Sequence, residues 1–503
     1  MQADEARIAT WFGDRAETVI ETACARIYLS GPTAYKVKRW VDLGYLDFTT
    51  LEKRHWAIDR ELAFNQAAAA DIYRAVHAVT EASDGHLALD GPGRVLDYAL
   101  EMRRFDETAV LSAHPERVDG DLGEALGRTV AASHEKAPPR PQAGGSAGMK
   151  YVLNSNAHLL NELAPQLGSS LVHAVLQKTE QTFAHQSPLL DARQAQGFTR
   201  RCHADLHLGN ILLENGTPVL FDCIEFSDIL SDTDVQYDLA FLLMDLDFRD
   251  RREAGVRALD GWLDASARSE GPALFEGLAA LPLMLSVRAA VRAHVEAHSG
   301  HMEAARAYLK AALDHLSPPP ARLLAVGGLS GSGKSRFSRQ LAPRIGASPG
   351  AVILRTDEIR KRLAGQQPTA GLPQDHYSPE ISARVYATLL TEARALLSAG
   401  RSVILDATFL DPDFRVDVEH LGAEASVPFH GIWLDAPPAI LKARIEARQN
   451  DASDATVAVL NSQIARQPGP APWQVIDTSG PIEACVQNWL QDQGLLPDRP
   501  PGP

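Results

Sequence analysis

A glycine-rich run in the second half of the chain carries the clearest chemical signal. The octapeptide GLSGSGKS, from Gly328 to Ser335, fits the pattern G-x-x-x-x-G-K-[ST]. Its glycines let backbone N–H groups turn toward phosphate oxygens, and the helix predicted to follow adds partial positive charge. Lys334 is expected to reach the β- and γ-phosphates of a nucleotide, and Ser335 to ligate Mg²⁺. The predicted nucleotide-binding residues are Gly328, Ser330, Gly331, Ser332, Gly333, Lys334 and Ser335.

Charged side chains at two strand ends and on one helix would complete a site around this loop. Asp357 is expected to accept a hydroxyl proton, and Arg360, one turn later, to hold an anionic substrate group. Asp406 stands at the end of another apolar run, which is predicted to be a parallel strand, and ligands bind at such strand ends in open α/β sheets. Asp406 would hold Mg²⁺ through water or orient Ser335. Arg444 and Arg448 share one helix face and would close over the phosphoryl group. Taken alone, this arginine pair is more typical of a solvated helix face.

A second polar group of residues lies in the first half of the chain. The segment HADLHLGN spans His203 to Asn210, and the apolar run VLF leads into Asp222. Asp205 is predicted to accept a substrate hydroxyl proton, while Asn210 and Asp222 hold Mg²⁺ on the ATP phosphates. The apolar flanks predict two buried strands with these polar residues at their ends. A zinc site of His203, Asp205 and His207 is the alternative.

Two lysines and a glutamate upstream match this second group. Strand alternation in AYKVK puts Lys36 and Lys38 on one face, so that either lysine is a candidate to contact ATP phosphates. Glu61 stands at the edge of the apolar stripe of a helix predicted over about 51–69. A carboxylate there needs a cation, and a strand lysine would provide it. Without the downstream residues, two exposed lysines and a surface glutamate would fit equally well.

The elements that must position these residues fall into two groups. Up to the triproline at Pro318–Pro320, the pattern of strands first and helices after predicts an α+β unit. Beyond it, strands predicted at 323–328, 352–356, 402–406 and 430–435 alternate with helices, which predicts a parallel sheet. We therefore predict a first domain over 1–316, a proline-rich linker at 317–322, a second domain over 323–492 and an unstructured tail at 493–503.

Composition narrows the class of protein. The 503 residues include 49 basic and 64 acidic side chains, for a net charge of −15, and 45% are hydrophobic. Such a chain forms packed cores, and it lacks the basic excess of a general nucleic-acid or membrane-surface binder. Four scattered cysteines without a CxxC pair and an N-terminus without a signal-peptide pattern predict reduced thiols in the cytoplasm. The most apolar stretch, 277–287, is shorter than a bilayer requires.

Residues 321–490 resemble a group of P-loop kinases that includes polynucleotide 5′-hydroxyl kinases and kinases of the gluconate and shikimate type. The likeness to polynucleotide kinase rests on RTDEIRK, VILDATFLDPDFR (which ends in Arg415) and LDAPPAILKARIEAR. The resemblance implies that Asp357 is the general base, that Arg360 binds substrate, and that Arg444 or Arg448 is the lid arginine.

Residues from about 20 to 300 resemble the aminoglycoside phosphotransferase family, a small-molecule branch of the protein-kinase-like fold. HADLHLGN is similar to the family's His-Gly-Asp-x-x-x-x-Asn, FDCIEF to its metal-binding segment, Asp238 to its structural aspartate, and Leu96–Phe105 to its adenine hinge. Ala204 stands where glycine is usual, and no G-x-G-x-x-G precedes the strand lysines. Lys36 fits the family register better than Lys38.

The whole arrangement resembles bacterial fusions of a phosphotransferase-like domain with a P-loop, AAA-type domain. It implies a protein-kinase-like α+β fold followed by an α/β P-loop NTPase fold, with ATP and Mg²⁺ as cofactors and a hydroxyl-bearing acceptor as partner. No membrane and no extended nucleic-acid surface are expected. Two alternatives stay open: an inactive, ligand-binding first domain, and a nucleotide or polynucleotide 5′-hydroxyl as acceptor.

Overall fold

The computed structural model describes residues 2–42, 46–447, 453–466 and 473–495. The strands are β1 (Thr18–Glu21), β2 (Ala25–Ser30), β3 (Thr33–Lys38), β4 (Tyr73–Glu81), β5 (Leu87–Leu89), β6 (Arg94–Arg103), β7 (Thr199–Arg201), β8 (Ile211–Glu214), β9 (Thr217–Leu220), β10 (Asp232–Asp234), β11 (Leu323–Gly327), β12 (Val352–Arg355), β13 (Val403–Asp406), β14 (Phe429–Asp435) and β15 (Gln474–Asp477). The helices are α1 (Gln2–Gly13), α2 (Leu51–Ala69), α3 (Gly120–Lys136), α4 (Gly145–Leu167), α5 (Ser169–Ala195), α6 (Asp228–Ser231), α7 (Val235–Phe248), α8 (Arg252–Glu270), α9 (Ala273–Glu276), α10 (Leu281–His298), α11 (Met302–His315), α12 (Lys334–Leu341), α13 (Thr356–Leu363), α14 (Pro379–Ser398), α15 (Pro412–Glu424), α16 (Pro438–Glu446), α17 (Val457–Ala465) and α18 (Ile482–Asp492).

The chain forms two compact units that are each built from several sequence segments. The first contains residues 1–117, 137–148 and 197–238, and the second contains 118–136, 149–196 and 239–503. The predicted division of the chain at residues 317–322 stays a prediction.

An antiparallel sheet dominates the first unit. Its six strands run in the order β1-β2-β3-β6-β4-β5. Helix α2 begins after Thr50, whose side chain accepts a hydrogen bond from the Lys53 N–H, and its buried Ile58 lies in the apolar core with Leu100 and Leu212. Two short antiparallel pairs, β8 with β9 and β7 with β10, follow later in the chain. The sheet and α2 thus form a frame for the lysines of β3.

A parallel sheet forms the centre of the P-loop part of the second unit. Its five strands run in the order β12-β13-β11-β14-β15. The side chains of β11, β12 and β13 are buried throughout, which explains their uninterrupted apolar runs. The structure therefore has the predicted parallel sheet, with β12 and β13 ending beside the phosphate loop that follows β11.

The predicted unstructured tail at 493–503 and the most apolar stretch of the chain can be compared with the structure in part. Residues 493–495 close α18 through backbone hydrogen bonds, while 496–503, the rest of the predicted tail, lie outside the described residues. The helical run Ala273–His298 is long and apolar enough to cross a membrane by length and composition. Because 78% of its apolar window is buried inside the protein, it also has the character of a core helix.

Candidate active sites

Both lysines of β3 contact the same buried glutamate of α2. Lys36 Nζ lies 2.6 Å from Glu61 Oε1, and Lys38 Nζ lies 2.6 Å from Glu61 Oε2. Lys36 also lies 2.7 Å from Asp222 Oδ1, whereas Lys38 pairs with Glu225. Burial lowers the pKa of Lys36, but Asp222 and Glu61 outweigh it and hold that pKa well above its ordinary value. Lys36 is therefore the lysine that faces the predicted metal-binding carboxylate.

The HADLHLGN loop is held by hydrogen bonds to its own backbone and to Asp238. Asn210 Nδ2 donates to the Asp205 carbonyl at 2.9 Å and to Asp205 Oδ2 at 2.8 Å. Asp238 accepts from the backbone N–H groups of His203 and Ala204. Ala204 adopts a left-handed φ of 69°, a conformation that glycine adopts more easily. This backbone need explains why the resemblance places glycine there.

A hairpin brings the second predicted metal ligand to this loop. Ile211 pairs with Leu220 across β8 and β9, and the Phe221 N–H donates to the Asn210 carbonyl at 3.1 Å. Asn210 and Asp222 therefore flank the same end of the hairpin. Their amide and carboxylate oxygens are ligands of the kind that Mg²⁺ takes, and this donor set fits the predicted ion.

The ring of His203 has a structural position in this loop. Its Nε2 lies 2.9 Å from the Phe221 carbonyl oxygen, so this nitrogen carries the proton, and its Nδ1 accepts from the Asp205 N–H at 3.4 Å. Both ring nitrogens are thus taken by the backbone. The arrangement disfavours the zinc alternative and braces the loop instead.

An apolar cavity adjoins Lys36 and Asp222. Ile20, Ile27, Ala34, Met102 and Phe221 are among the residues that line it. From the predicted adenine hinge over 96–105, residues 102–105 line this cavity, whereas residues 96–101, which lie further back along strand β6, do not. The turn between β1 and β2, residues 22–24, contains no glycine. The cavity has apolar walls and a charged end at Lys36 and Asp222, a combination that is common in pockets for small ligands.

The glycine-rich loop of the second unit lies between β11 and α12, as its motif predicts. Lys334 Nζ donates to the carbonyl oxygens of Gly328 and Leu329, both at 3.0 Å, so the lysine spans the loop. Gly331 has a φ of 84°, and a Cβ there would lie 2.6 Å from the Leu441 carbonyl oxygen. Any side chain at this position would therefore clash with the backbone.

Two partners from distant segments also contact the loop. Thr478 Oγ1 donates to the Ser332 carbonyl at 2.8 Å, and the Ser330 N–H donates to Gln463 Oε1 at 2.9 Å. Neither partner was predicted from the sequence. Thr478 follows a short edge strand and Gln463 lies on a helix, so no spacing pattern pointed to them.

The loop serine and the aspartate of β13 lie in direct contact. Ser335 Oγ donates to Asp406 Oδ2 at 2.8 Å, and the two oxygens suit Mg²⁺ as ligands. Arg355, which was not predicted as a site residue, also contacts both side chains. Both predicted roles of Asp406, holding Mg²⁺ through water and orienting Ser335, are compatible with this contact.

Asp357 is the second residue of helix α13, which directly follows β12. Burial raises the pKa of its carboxyl above the ordinary value; Arg355 opposes this shift and Asp406 supports it. A raised pKa suits a general base, because a carboxylate with a pKa closer to neutral pH takes up the hydroxyl proton more readily.

Arg360 is held by the loop that follows α13. Its Nη1 donates to the His376 carbonyl at 2.8 Å, and its guanidinium carbon lies 4.8 Å from the centre of the Tyr377 ring. Tyr377 Oη in turn donates to Asp454 at 2.6 Å. The predicted substrate arginine thus contacts the loop between α13 and α14 through His376 and Tyr377.

One of the two predicted lid arginines can be placed. Arg444, on α16, donates from Nη2 to the Thr478 carbonyl at 2.6 Å, beside the phosphate loop. Arg448 lies outside the described residues. Because Arg448 follows the last residue of α16, Glu446, and is not described, the choice between the two arginines stays open.

Comparison with known proteins identifies both halves of the chain. A model described as "Phosphotransferase enzyme family" matches residues 49–276, and one described as "AAA domain" matches residues 323–470. The chain therefore has the predicted fold class, a phosphotransferase-type region followed by a P-loop kinase-type domain with a parallel sheet.

Similarity to curated proteins extends over nearly the whole chain. It is 31% identical over 488 residues to "Uncharacterized protein Rv2004c" of Mycobacterium tuberculosis, which covers 93% of each protein, and "Uncharacterized protein Mb2027c" of Mycobacterium bovis gives the same values. The chain belongs to the family of these mycobacterial proteins. The "Adenylyl-sulfate kinase" of Myxococcus xanthus is 34% identical over 122 residues, 24% of this chain and 62% of that protein.

Similarity to two solved structures covers about a third of the chain in each case. A sugar kinase from Janibacter sp. HTCC2649 is 24% identical, covers 35% of this chain and 96% of its own, and has a TM-score of 0.26. The tunicamycin resistance protein of Deinococcus radiodurans is 18% identical and covers 36% and 99%, with a TM-score of 0.27.

Proposed function

We propose that this protein is an ATP-dependent phosphotransferase with two kinase-type modules, each transferring the γ-phosphoryl group to a hydroxyl of a small molecule. The observation that carries the proposal is that each unit gathers a lysine, a predicted metal-binding carboxylate and a predicted base around one site. In the first unit these are Lys36, Asp222 and Asp205, and in the second Lys334, Asp406 and Asp357.

The same chemistry would take place at both sites. The acceptor oxygen attacks the γ-phosphorus, the bond to the β,γ-bridging oxygen breaks, and ADP leaves with that electron pair. Asp205 or Asp357 takes the hydroxyl proton. Bound Mg²⁺ would neutralise phosphate charge, and Lys36 or Lys334 would hold the phosphates in place.

Separate substitutions test whether both modules act. Lys334→Ala and Asp205→Ala, each in the full chain, should remove separable ATP turnover activities, measured with γ-labelled ATP against a panel of hydroxyl acceptors. The matched control is Lys310→Ala, which changes an exposed lysine of α11. Full turnover in both single variants would contradict the proposal.

One observation favours a second candidate function. The β1–β2 turn, which would cover the phosphates in a kinase-like sheet, is short and has no glycine. The first module would then bind a ligand and regulate the P-loop kinase. Under this alternative, only Lys334→Ala reduces turnover, and Asp205→Ala leaves it unchanged.

A nucleotide or a polynucleotide 5′-hydroxyl is the second class of acceptor, proposed from the sequence likeness of RTDEIRK and the predicted lid. A labelled 5′-hydroxyl oligonucleotide product, lost in Lys334→Ala, would support it. We also propose a cytoplasmic location, on the sequence grounds given above.

A further inference from the structure

A buried arginine contacts both side chains that are predicted to serve Mg²⁺ at the phosphate loop. Arg355 Nη2 donates to Ser335 Oγ at 2.8 Å, and its Nε donates to Asp406 Oδ2 at 3.2 Å. The third nitrogen, Nη1, lies 2.7 Å from Glu358 Oε1. One guanidinium group therefore joins the loop, the end of β13 and the first turn of α13.

This contact is fixed by burial and by charge. Arg355 is 4% exposed and Asp406 is 5% exposed, and a planar guanidinium held by Ser335, Asp406 and Glu358 has little freedom to turn. Removing one partner of such a buried group leaves an uncompensated charge, which is strongly unfavourable. The guanidinium is therefore a permanent positive charge beside the loop, in addition to Lys334.

The position of this charge has a consequence for the metal. Ser335 Oγ and Asp406 Oδ2 are oxygens suited to Mg²⁺, yet both already interact with Arg355. A cation that binds these oxygens must share them with the guanidinium or displace it. Arginine is itself a good partner for phosphate, since its N–H groups match two phosphate oxygens.

We propose that Arg355 is a built-in cation of the phosphate loop, which supplies at Ser335 and Asp406 the positive charge that Mg²⁺ otherwise brings. Nucleotide binding by the P-loop module then depends only weakly on Mg²⁺. The proposal rests on the proposed nucleotide binding at this loop. It makes Arg355 a positioning residue for the nucleotide phosphates.

The test measures nucleotide affinity rather than turnover. A fluorescent ATP analogue is titrated into the full chain, with Mg²⁺ and with EDTA, in an Asp222→Ala background that disables the first site. Arg355→Gln is combined with Glu358→Gln, so that one positive and one negative charge are removed together. Arg336→Gln is the matched control, because it removes an exposed positive charge next to Ser335 that pairs with Glu483.

In the background protein, we expect the affinity with EDTA to stay within about tenfold of that with Mg²⁺. The double variant should lose about a further ten- to hundredfold with EDTA, the range for a hydrogen bond to a charged group. Arg336→Gln should behave like the background. An equal loss of affinity with EDTA in the background and in the double variant would overturn the inference.

Two further variants keep the outcome interpretable. Should thermal unfolding show that the double variant is not folded, Arg355→Lys decides, because lysine keeps the charge but cannot bridge both oxygens. With EDTA, we expect Arg355→Lys to lose more nucleotide affinity than the background protein and the Arg336→Gln control, but less than a hundredfold. An affinity loss equal to that of the background would overturn the inference. If Lys334→Ala leaves binding unchanged, the nucleotide proposal itself fails.

Discussion

At the scale of single residues, the site of the second unit depends on a carboxyl whose pKa is raised. Asp357 lies where burial disfavours its charged form. As a general base it acts only when deprotonated, so the rate of phosphoryl transfer should fall as pH drops through this raised pKa.

The pH profile of ATP turnover in the Asp205→Ala chain tests this role of Asp357. We expect a decline on the acid side that begins above the ordinary carboxyl range, and Asp357→Asn should lower the rate about 10²- to 10⁴-fold. Unchanged turnover in Asp357→Asn would show that another group accepts the proton.

The two β3 lysines should differ in the effects of their loss. Replacing Lys38 by Met leaves Glu225 buried without its cation, at a cost of about 3–5 kcal/mol of stability. Replacing Lys36 by Met leaves Glu61 paired with Lys38, and Asp222 keeps contact with solvent, so stability should fall less while nucleotide affinity falls more.

Thermal unfolding and nucleotide titration of Lys36→Met and Lys38→Met, both in a Lys334→Ala chain, measure this difference. The assignment of Lys36 as the phosphate lysine would be wrong if Lys38→Met abolished binding while Lys36→Met retained it in a protein of unchanged stability.

At the scale of elements, helix α8 contacts the edge strand of the parallel sheet through a carboxyl. Asp260 Oδ1 accepts from the Ile353 N–H of β12 at 3.1 Å. Burial raises the pKa of Asp260 to about 8. The folded state holds the Asp260 proton more tightly than the unfolded chain does, and this difference contributes to the free energy of unfolding. The contribution is complete below the ordinary pKa of 3.8 and is lost as pH rises through about 8.

Stability should therefore decline across this window, by at most about 1.4 kcal/mol per pH unit from this group. Asp260→Asn keeps an oxygen for the Ile353 N–H and does not ionise. We expect it to reduce the decline and to be the more stable protein at the alkaline end, as measured by thermal unfolding on both sides of the window. Identical pH dependence in both proteins would contradict this role.

How far the sequence predicts the elements depends on burial. Helix α2 has the predicted limits, and β11 to β14 lie at the predicted positions, because buried parallel strands are continuous apolar runs. Strand β15 was missed, since it is an edge strand with mostly exposed side chains. Contacts such as Gln463 with Ser330 join distant segments and leave no local pattern.

The same limit applies to the sites. The positions of the motif residues could be predicted because both motifs have a fixed spacing and stand at the ends of apolar runs, while their roles toward phosphate and Mg²⁺ stay predictions. The contacts of Arg355 could not be predicted, because an arginine at a strand end is chemically specific only once its partners, which include Ser335, Asp406 and Glu358, are known.

At the scale of the whole molecule, the two compact units do not follow the order of the sequence, because segments of the two units alternate along the chain. The segments 118–136 and 149–196 belong to the second unit although they precede parts of the first. Helices α3 and α8 show why: their interface includes Gly123 and Gly127, which lie so close to the α8 backbone that a Cβ would clash. A linear pattern of apolar residues does not encode such pairing.

The central claim is that the chain carries two nucleotide sites, and equilibrium dialysis of ATP with Mg²⁺ tests it most directly. We predict a stoichiometry of two ATP per full chain, and one in each of Lys334→Ala and Asp222→Ala. One ATP per wild-type chain, unchanged in Asp222→Ala and absent in Lys334→Ala, would contradict the account of the first unit; no loss in Lys334→Ala would contradict that of the second.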